Sequence, residues 1–141
     1  MANYDAQLTN KSKRAVRIYS DLNLNFTKNP ATKDVAKLYD VEAVKRSVRN
    51  LILTNRFERP FHPEIGSSVR NILFENITPL NAILLQDRIQ EVIENFEPRV
   101  VVNQVIVEDR IDNNEYKVQI IFYVINVPEP VTITEFLQSL R

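Results

Sequence analysis

The spacing of apolar residues near the start of the chain predicts a short strand. Over residues 21–27, Leu22, Leu24 and Phe26 alternate with polar residues. A period of two is typical of a strand with one buried face. An Asn-Pro pair at residues 29–30 then interrupts the pattern, so we expect the strand to end before it.

A helical period follows over residues 41–55, where apolar residues recur every three or four positions. Asp40 precedes this segment, and we expect its carboxylate to accept hydrogen bonds from the N–H groups of the first turn. The sequence therefore predicts an amphipathic helix. Its buried stripe comprises Val41, Val44, Val48, Leu51 and Ile52.

Residues 56–68 have no hydrophobic period and contain two prolines and the only glycine of the chain, Gly66. Proline disfavours helical geometry in the residue before it, and glycine readily takes positive φ. We therefore predict a defined loop without regular structure. A short helical turn is expected next, through Val69, Ile72, Leu73 and Phe74.

Thr78 and Pro79 mark the start of a second long helix, as its N-cap and as a proline at its first position. The helix is expected to end by Glu97, because Pro98 disfavours helical geometry in its predecessor. Its expected buried stripe contains Ala82, Leu85, Ile89, Val92, Ile93 and Phe96.

Two runs rich in β-branched and aromatic residues, 100–107 and 116–124, predict a hairpin that turns at residues 112–114. Toward its end the second strand is apolar on both faces, so we expect both faces to be covered. Residues 131–141 fit either a closing strand or a short helix, and the sequence does not decide between them.

This order of elements predicts an α+β fold, in which two main helices pack on one face of a small, mainly antiparallel sheet. The 141 residues suffice for a single domain with one core. We expect that domain over residues 21–141, preceded by a flexible basic N-terminal arm over residues 1–20.

The arm carries Lys11, Lys13, Arg14 and Arg17 against Asp5, a net charge of +3. It is either a solvated tail or a segment that orders on an acidic groove of a protein. A third interpretation, nucleic-acid binding through the arm, is disfavoured because the whole chain balances 18 basic residues against 18 acidic ones.

Composition excludes several classes of site. The chain has no cysteine and one histidine, His62, so we expect no metal site and assign this histidine no role. A single glycine rules out glycine-rich phosphate loops, and we expect no cofactor. The polar start and the absence of any apolar run near the roughly 18 residues that span a bilayer predict no signal peptide and no membrane partner.

Three acidic residues near the loop, Glu58, Glu64 and Glu75, are the candidates for paired carboxylates of a glycosidase. Acidic residues are too frequent in this chain for their nearness in sequence to indicate such a pair. We therefore predict no catalytic residue.

Glu97 is a second unusual position, because a carboxylate in the last turn of a helix faces the negative end of the helix dipole. A cation is expected nearby. Arg99 either forms a local ion pair with Glu97, or both residues pair with groups on another chain.

The strings RPFHPEIGSSV, LFENITPL and FEPRVVV, with DLNLNF and VKRSVRNLILTNRFERPF before them, extend over nearly the whole chain. Together they resemble the baseplate wedge protein family of T-even-type contractile phages, and more distantly the lysozyme-like baseplate component of type VI secretion machines. Phe57 stands at a position that is often glycine in this family.

The resemblance implies a structural protein of the virion, located in the tail baseplate and, during assembly, in the host cytoplasm. Its implied partners are the other wedge proteins of the core bundle, the tail sheath subunit and tube-proximal baseplate proteins, with no nucleic acid and no membrane. A sheet like the interlocking region of the sheath subunit would initiate the sheath by β-strand addition. The alternative is a peptidoglycan-degrading, lysozyme-like enzyme, a label that family members have carried.

The resemblance also implies an interface at the motif after the second helix and at the proline-rich loop. We expect Arg99→Ala to leave the isolated fold largely intact and to impair attachment to the wedge or sheath. The interface residues so implied are Glu97, Pro98, Arg99, Arg59, Pro60, Phe61, Pro63, Glu64 and Gly66.

Overall fold

The computed structural model describes residues 18–140. Most of the expected arm, residues 1–17, lies outside this part, whereas Ser20 already belongs to the first strand. The strands are β1 (Ser20–Leu22), β2 (Lys37–Tyr39), β3 (Val100–Arg110), β4 (Glu115–Val124) and β5 (Pro130–Gln138). The helices are α1 (Asp40–Leu53), α2 (Val69–Leu73) and α3 (Pro79–Phe96).

The main sheet has the antiparallel order β3-β4-β5, with Val105 opposite Ile120 and Ile120 opposite Ile133. Its inner face packs against α3 and forms the centre of the core. The predicted α+β fold is confirmed, and the undecided final segment forms a strand as far as Gln138. The inward side chains of β4 are almost fully buried: Tyr116, Val118, Ile120, Phe122 and Val124.

The start of α3 follows the predicted capping pattern. The Thr78 hydroxyl oxygen accepts a hydrogen bond from the Asn81 amide at 3.2 Å, and Pro79 occupies the first turn. The Tyr116 hydroxyl of β4 accepts a further bond from the Thr78 amide at 3.3 Å, which ties this helix end to the sheet. The predicted stripe faces the core, and only Phe96 within it remains half-buried.

The expected stripe of α1 is confirmed, with Val41 at its partly exposed end. The helix begins at Asp40 and not after it, so this residue lies within the first turn. Its carboxylate accepts hydrogen bonds from the amides of Ile18 and Tyr19, at 2.8 and 3.1 Å. Asp40 therefore anchors the incoming chain to the start of α1.

The predicted first strand is wrong in both its extent and its burial. Only Ser20–Leu22 is extended, pairing with β2. The Asn23 side chain then accepts a hydrogen bond from the Asn25 amide at 3.0 Å, an Asx turn that bends the chain away. The three alternating apolar side chains are 51–73% exposed: Leu22, Leu24 and Phe26.

The outer face of the sheet is uncovered within the described residues. Both main helices lie on the inner side, so the second apolar face of β4 meets no other element. Tyr123 is 40% exposed and Ile125 is 45% exposed. The expectation that both faces are covered is therefore wrong for residues 18–140.

Gly66 closes the proline-rich loop against the end of α1. It is buried with φ of +145°, and a Cβ atom there would lie 2.6 Å from the Asn55 carbonyl oxygen. The next amide, of Ser67, donates to the Thr54 carbonyl oxygen at 2.7 Å. No side chain fits this approach, so the predicted need for glycine here has a steric cause.

We expect Gly66→Ala to lower the free energy of unfolding by about 2 to 4 kcal/mol, because it adds a steric clash to an unfavourable φ. Urea denaturation of the purified chain measures the loss. Ser68→Ala, two residues away, is the matched control and should change stability by less than about 0.5 kcal/mol. Equal stability of the two variants would contradict the role assigned to Gly66.

Candidate protein-interaction site

The proline-rich loop holds a fixed shape through its own backbone. The Phe57 amide donates to the Pro63 carbonyl oxygen at 2.9 Å, and the buried Ser67 hydroxyl donates to the Ile52 carbonyl oxygen at 2.5 Å. The loop thus projects from a rigid base at the end of α1. Its interface candidates are all exposed apart from the buried Gly66: Arg59, Pro60, Phe61, Pro63 and Glu64.

Two phenylalanines of this loop lie in the left-handed region of backbone conformation. Phe57 has φ of 67° and is 83% exposed, while Phe61 has φ of 70° and is 96% exposed. A bulky residue at positive φ is strained, and water surrounds both rings. Glycine takes such a φ without strain, so this backbone is compatible with the glycine that the resemblance led us to expect at position 57.

Glu97 is the buried carboxylate at the C-terminal end of α3, and only 3% of it is exposed. Arg99 donates to both of its oxygens, from Nε to Oε1 at 2.6 Å and from Nη2 to Oε2 at 2.7 Å. The Ser47 hydroxyl of α1 donates to Oε2 at 2.5 Å. Of the two alternatives left open by the sequence, the local ion pair is the one that forms.

Burial by itself raises the pKa of the Glu97 carboxyl. The hydrogen bonds from Arg99 and Ser47, with the charge of Arg99, outweigh burial and hold that pKa below its ordinary value of 4.5. The same contact raises the pKa of the Arg99 guanidinium. Arg99 also lies over the ring of Tyr19, 5.5 Å from the centroid, so the pair reaches the first residues of the described chain.

A cleft of about 580 Å³ separates the loop from the end of α3. Arg59 lines it from the loop side, Phe96 from the end of α3, and Ser47 from α1. Of the nine predicted interface residues only Arg59 lines this cleft, whereas Glu97 is represented there by its neighbour Phe96. Phe61, Pro63 and Glu64 are not among its lining residues.

Sequence analysis missed Ser47 and Tyr19, which complete the surroundings of the ion pair. Ser47 lies on the polar side of the α1 pattern and is separated from Glu97 by 50 positions. Tyr19 falls within the segment expected to be an arm. No local pattern marks either residue.

A second groove, of about 290 Å³, runs between α1 and the outer edge of β5. Arg46 and Arg49 line it from the helix, and Ile133 and Glu135 line it from the strand. Arg49 and Glu135 form an ion pair across it at 2.9 Å. Within residues 18–140, no strand pairs with the outer edge of β5 or of β3.

The three candidate carboxylates, Glu58, Glu64 and Glu75, are all exposed. Glu58 accepts a hydrogen bond from the Asn55 amide at 2.8 Å. A backbone hydrogen bond and the contact with His62 hold the pKa of Glu64 below its ordinary value, whereas a general acid needs a raised pKa. Glu75 is exposed at the surface.

The described residues also contain no group of three His, Cys, Asp or Glu side chains placed to hold a metal ion. None of the helices within residues 18–140 combines the length and the apolar character that crossing a membrane requires.

We expect Arg99→Ala to lower the free energy of unfolding by about 3 kcal/mol, because it leaves the Glu97 carboxylate buried without its counterion. This burial reverses the expectation from sequence that the isolated fold would tolerate the change. Replacing both residues, as Glu97→Gln with Arg99→Gln, should recover most of the loss. Arg88→Ala, which removes an exposed ion pair, is the control and should cost less than about 0.5 kcal/mol.

The stability of the chain should fall in acid partly through Glu97. Its pKa is lower in the folded state than in the unfolded state, so the ionised carboxylate contributes its full stabilisation above about pH 4.5. This contribution disappears as the pH drops through the pKa of the folded state. Urea denaturation at several pH values from 7 to 3 should show a shallower decline for Glu97→Gln than for the unmodified chain. Parallel declines would contradict this assignment.

A family model described as Baseplate wedge protein gp25 matches residues 39–128, more than half of the chain. The baseplate wedge protein gp25 of Enterobacteria phage T4 is 34% identical over 115 residues. That alignment covers 82% of this chain and 86% of the phage T4 protein.

Solved structures share the fold. A chain of the anti-feeding prophage baseplate has a TM-score of 0.67 and 29% identity, covering 79% of this chain and 89% of that one. A chain of the postcontracted pyocin R2 baseplate has a TM-score of 0.54 and 15% identity. The match covers 85% of this chain and 98% of that one.

A protein from Geobacter sulfurreducens, provisionally named a tail lysozyme, has a TM-score of 0.64 and 19% identity, covering 70% of this chain and 89% of that one. At this identity, as for pyocin R2, the likeness extends to the fold alone. The family match and the phage T4 relative together cover most of the chain. The chain therefore belongs to the gp25 family of baseplate wedge proteins, which are structural components of contractile tails.

Proposed function

We propose that this baseplate wedge subunit binds the core wedge proteins through its cleft and initiates the tail sheath by accepting a strand at the outer edge of β5. The sheath subunit is the proposed donor of that strand. The observation that carries the proposal is the groove between α1 and β5, where a fourth strand would lie beside the sheet and beneath the helix.

Strand addition requires unpaired backbone N–H and C=O groups along an edge. The three-stranded sheet has such groups on β3 and β5. On β3 a bulge between Val102 and Gln104 breaks the regular spacing, and bulges commonly protect edges from further pairing. β5 pairs with β4 in unbroken register, so its outer edge offers regularly spaced groups.

The groove also supplies contacts for side chains of an added strand. Ile133 offers an apolar surface on the sheet side, and Leu38 offers one near the end of β2. Lys45, Arg46 and Arg49 outnumber Glu42 and Glu135 around the groove. An incoming strand with alternating apolar and acidic side chains fits these walls, and its main-chain hydrogen bonds would be independent of sequence.

We assign the cleft beside Glu97 to the core wedge proteins. Its apolar floor contains the half-buried Ile65 and Phe96, and Arg59 stands at its rim. The ion pair behind it fixes the relative positions of α1 and α3, which keeps the cleft in one shape before a partner arrives. Preformed clefts lose less conformational entropy on binding.

The exposed Phe57 and Phe61 are proposed as further contacts of the loop, made with tube-proximal proteins. We propose that the subunit is located in the virion baseplate and, before assembly, in the host cytoplasm. We propose no hydrolytic activity, because Glu58, Glu64 and Glu75 are all exposed, whereas a glycosidase acid requires an apolar pocket that raises its pKa.

We expect sheath subunits to protect the outer edge of β5 from hydrogen exchange. In the free chain, the amides of β5 that face away from β4 should exchange fast. After the assembled wedge is incubated with sheath subunit, their exchange should slow by at least about tenfold, because each joins a new backbone hydrogen bond. Mass spectrometry of fragments from residues 130–138 measures this change.

The outward amides of β3 provide the internal control and should keep their exchange rates when the sheath subunit is added. Protection of β3 without β5 would contradict the choice of edge. Binding of the sheath subunit with no protection of either strand would contradict strand addition altogether.

A further inference from the structure

One residue of the edge strand β5 interrupts its apolar inner row. Every second side chain of β5 faces the core, and Val131, Ile133 and Leu137 are between 5% and 9% exposed. Glu135 occupies the remaining inward position, because it lies opposite the buried Val118 of β4. A carboxylate therefore stands where the alternation of the strand predicts an apolar side chain.

Arg49 of α1 holds this carboxylate at the border of the sheet. Its Nε lies 2.9 Å from Oε1 of Glu135, across the groove between the helix and the strand. The Glu135 side chain is 17% exposed and the Arg49 side chain is 47% exposed, so water still reaches the pair from the open groove. Within residues 18–140, no further strand covers this side of β5.

A strand that pairs with the outer edge of β5 would set one of its side chains directly opposite Glu135. Opposed side chains of neighbouring strands have Cβ atoms about 5 Å apart. An apolar side chain there would remove water from the carboxylate without replacing its hydrogen bonds, and a second carboxylate would repel it. Inward charged residues on edge strands are a common means of preventing unwanted pairing. Glu135 therefore discriminates among strands by the side chain that meets it.

A second copy of this chain cannot satisfy Glu135 by antiparallel pairing of two β5 strands. Only alternate residues of an edge strand direct their backbone groups outward, so two such copies pair with inward side chains opposite inward side chains. Each register then sets an apolar group or a like charge against the carboxylate. The inward residues of β5 that Glu135 can meet are Val131, Ile133, Leu137 and the second copy's Glu135.

We propose that Glu135 determines which strand the edge of β5 accepts. It excludes a second copy of this chain, and it admits a strand that carries a neutral hydrogen-bond donor opposite it. The donor is neutral, as in an amide or hydroxyl side chain, because Arg49 already balances the charge. The requirement concerns this one position of the incoming strand. The exclusion follows from this chain alone, whereas the admitted strand rests on the proposed function.

Self-association of the full chain tests the exclusion. Glu135→Val completes the apolar inner row, so the dissociation constant for self-association should fall at least about tenfold, as measured by sedimentation equilibrium. Thr134→Val is the matched control, because it adds the same side chain one residue away on the exposed outer face. It should change the constant by less than about twofold. Glu135→Asp keeps the charge and should behave like the unmodified chain.

Hydrogen exchange locates the contact in the associated variant. The amides of residues 130–138 should exchange more slowly as the concentration of the Glu135→Val chain rises, because the outward ones join new backbone hydrogen bonds. The outward amides of β3 should keep their exchange rates.

Binding of the sheath subunit to the assembled wedge tests the admitted strand. For Glu135→Val, the sheath concentration that gives half-maximal protection of residues 130–138 should rise at least about tenfold, because the donor of the incoming strand loses its acceptor. Glu135→Gln keeps an acceptor oxygen and should change this concentration by less than about threefold. The measurements are made below the concentration at which the Glu135→Val chain associates with itself. Thr134→Val is again the control.

A Glu135→Val chain that associates no more than the unmodified chain would overturn the exclusion. Equal association of the Thr134→Val chain, or association without protection of residues 130–138, would overturn it as well. Undiminished sheath binding by the Glu135→Val chain would overturn the requirement for a donor. If the sheath subunit protected β5 neither in the variants nor in the unmodified chain, the proposed function would fail, and self-association of the Glu135→Val chain would still support the exclusion.

Discussion

The buried carboxylate of Glu97 constrains the arrangement of most elements in this fold. A negative charge at the C-terminal end of a helix opposes the helix dipole, and burial removes the water that would otherwise solvate it. Hydrogen bonds from Arg99 and Ser47, together with the charge of Arg99, offset these costs. Those contacts join the start of β3, the middle of α1 and the end of α3, and Arg99 extends the connection to Tyr19.

This constraint also explains why the groove beside β5 stays open. Ser47 holds α1 against the end of α3, and α3 packs on β3. The buried Val44 and Val48 of α1 also hold the helix in this position beside the groove. The ion pair between Arg49 and Glu135 spans the groove at one point and does not fill it. The hydrogen bond from Ser47 to Glu97 is thus one of the contacts that hold α1, which lines both the cleft and the groove.

The sequence was sufficient where a local pattern determines structure. The stripes of α1 and α3, the cap at Thr78 and the hairpin follow from periods and capping chemistry that act over a few residues. The pattern failed at residues 21–27, where the Asn23 side chain bends the chain more strongly than alternating Leu and Phe extend it. Residues 131–141 were ambiguous because pairing with β4, and not propensity, makes residues 131–138 a strand.

Of the candidate site, only the contacts between residues close in sequence could be predicted. The ion pair within Glu97–Arg99 spans two positions, so sequence could suggest it. Ser47 and the cleft that it lines depend on helix packing across 50 positions, which no motif encodes. The size of the Arg99→Ala effect on stability depends on the burial of Glu97, and the sequence does not show that a charged residue at a helix end is buried.

The position of β5 in the chain has a consequence for the order of folding. β5 pairs with β4 alone, and it follows every other described element in sequence. Until it docks, the hairpin of β3 and β4 exposes an edge strand whose inward side chains belong to the core. The acceptor edge therefore exists only in a chain that extends through β5. Under the proposed function, a half-made subunit offers the sheath no template, so incomplete chains are excluded from starting a tail.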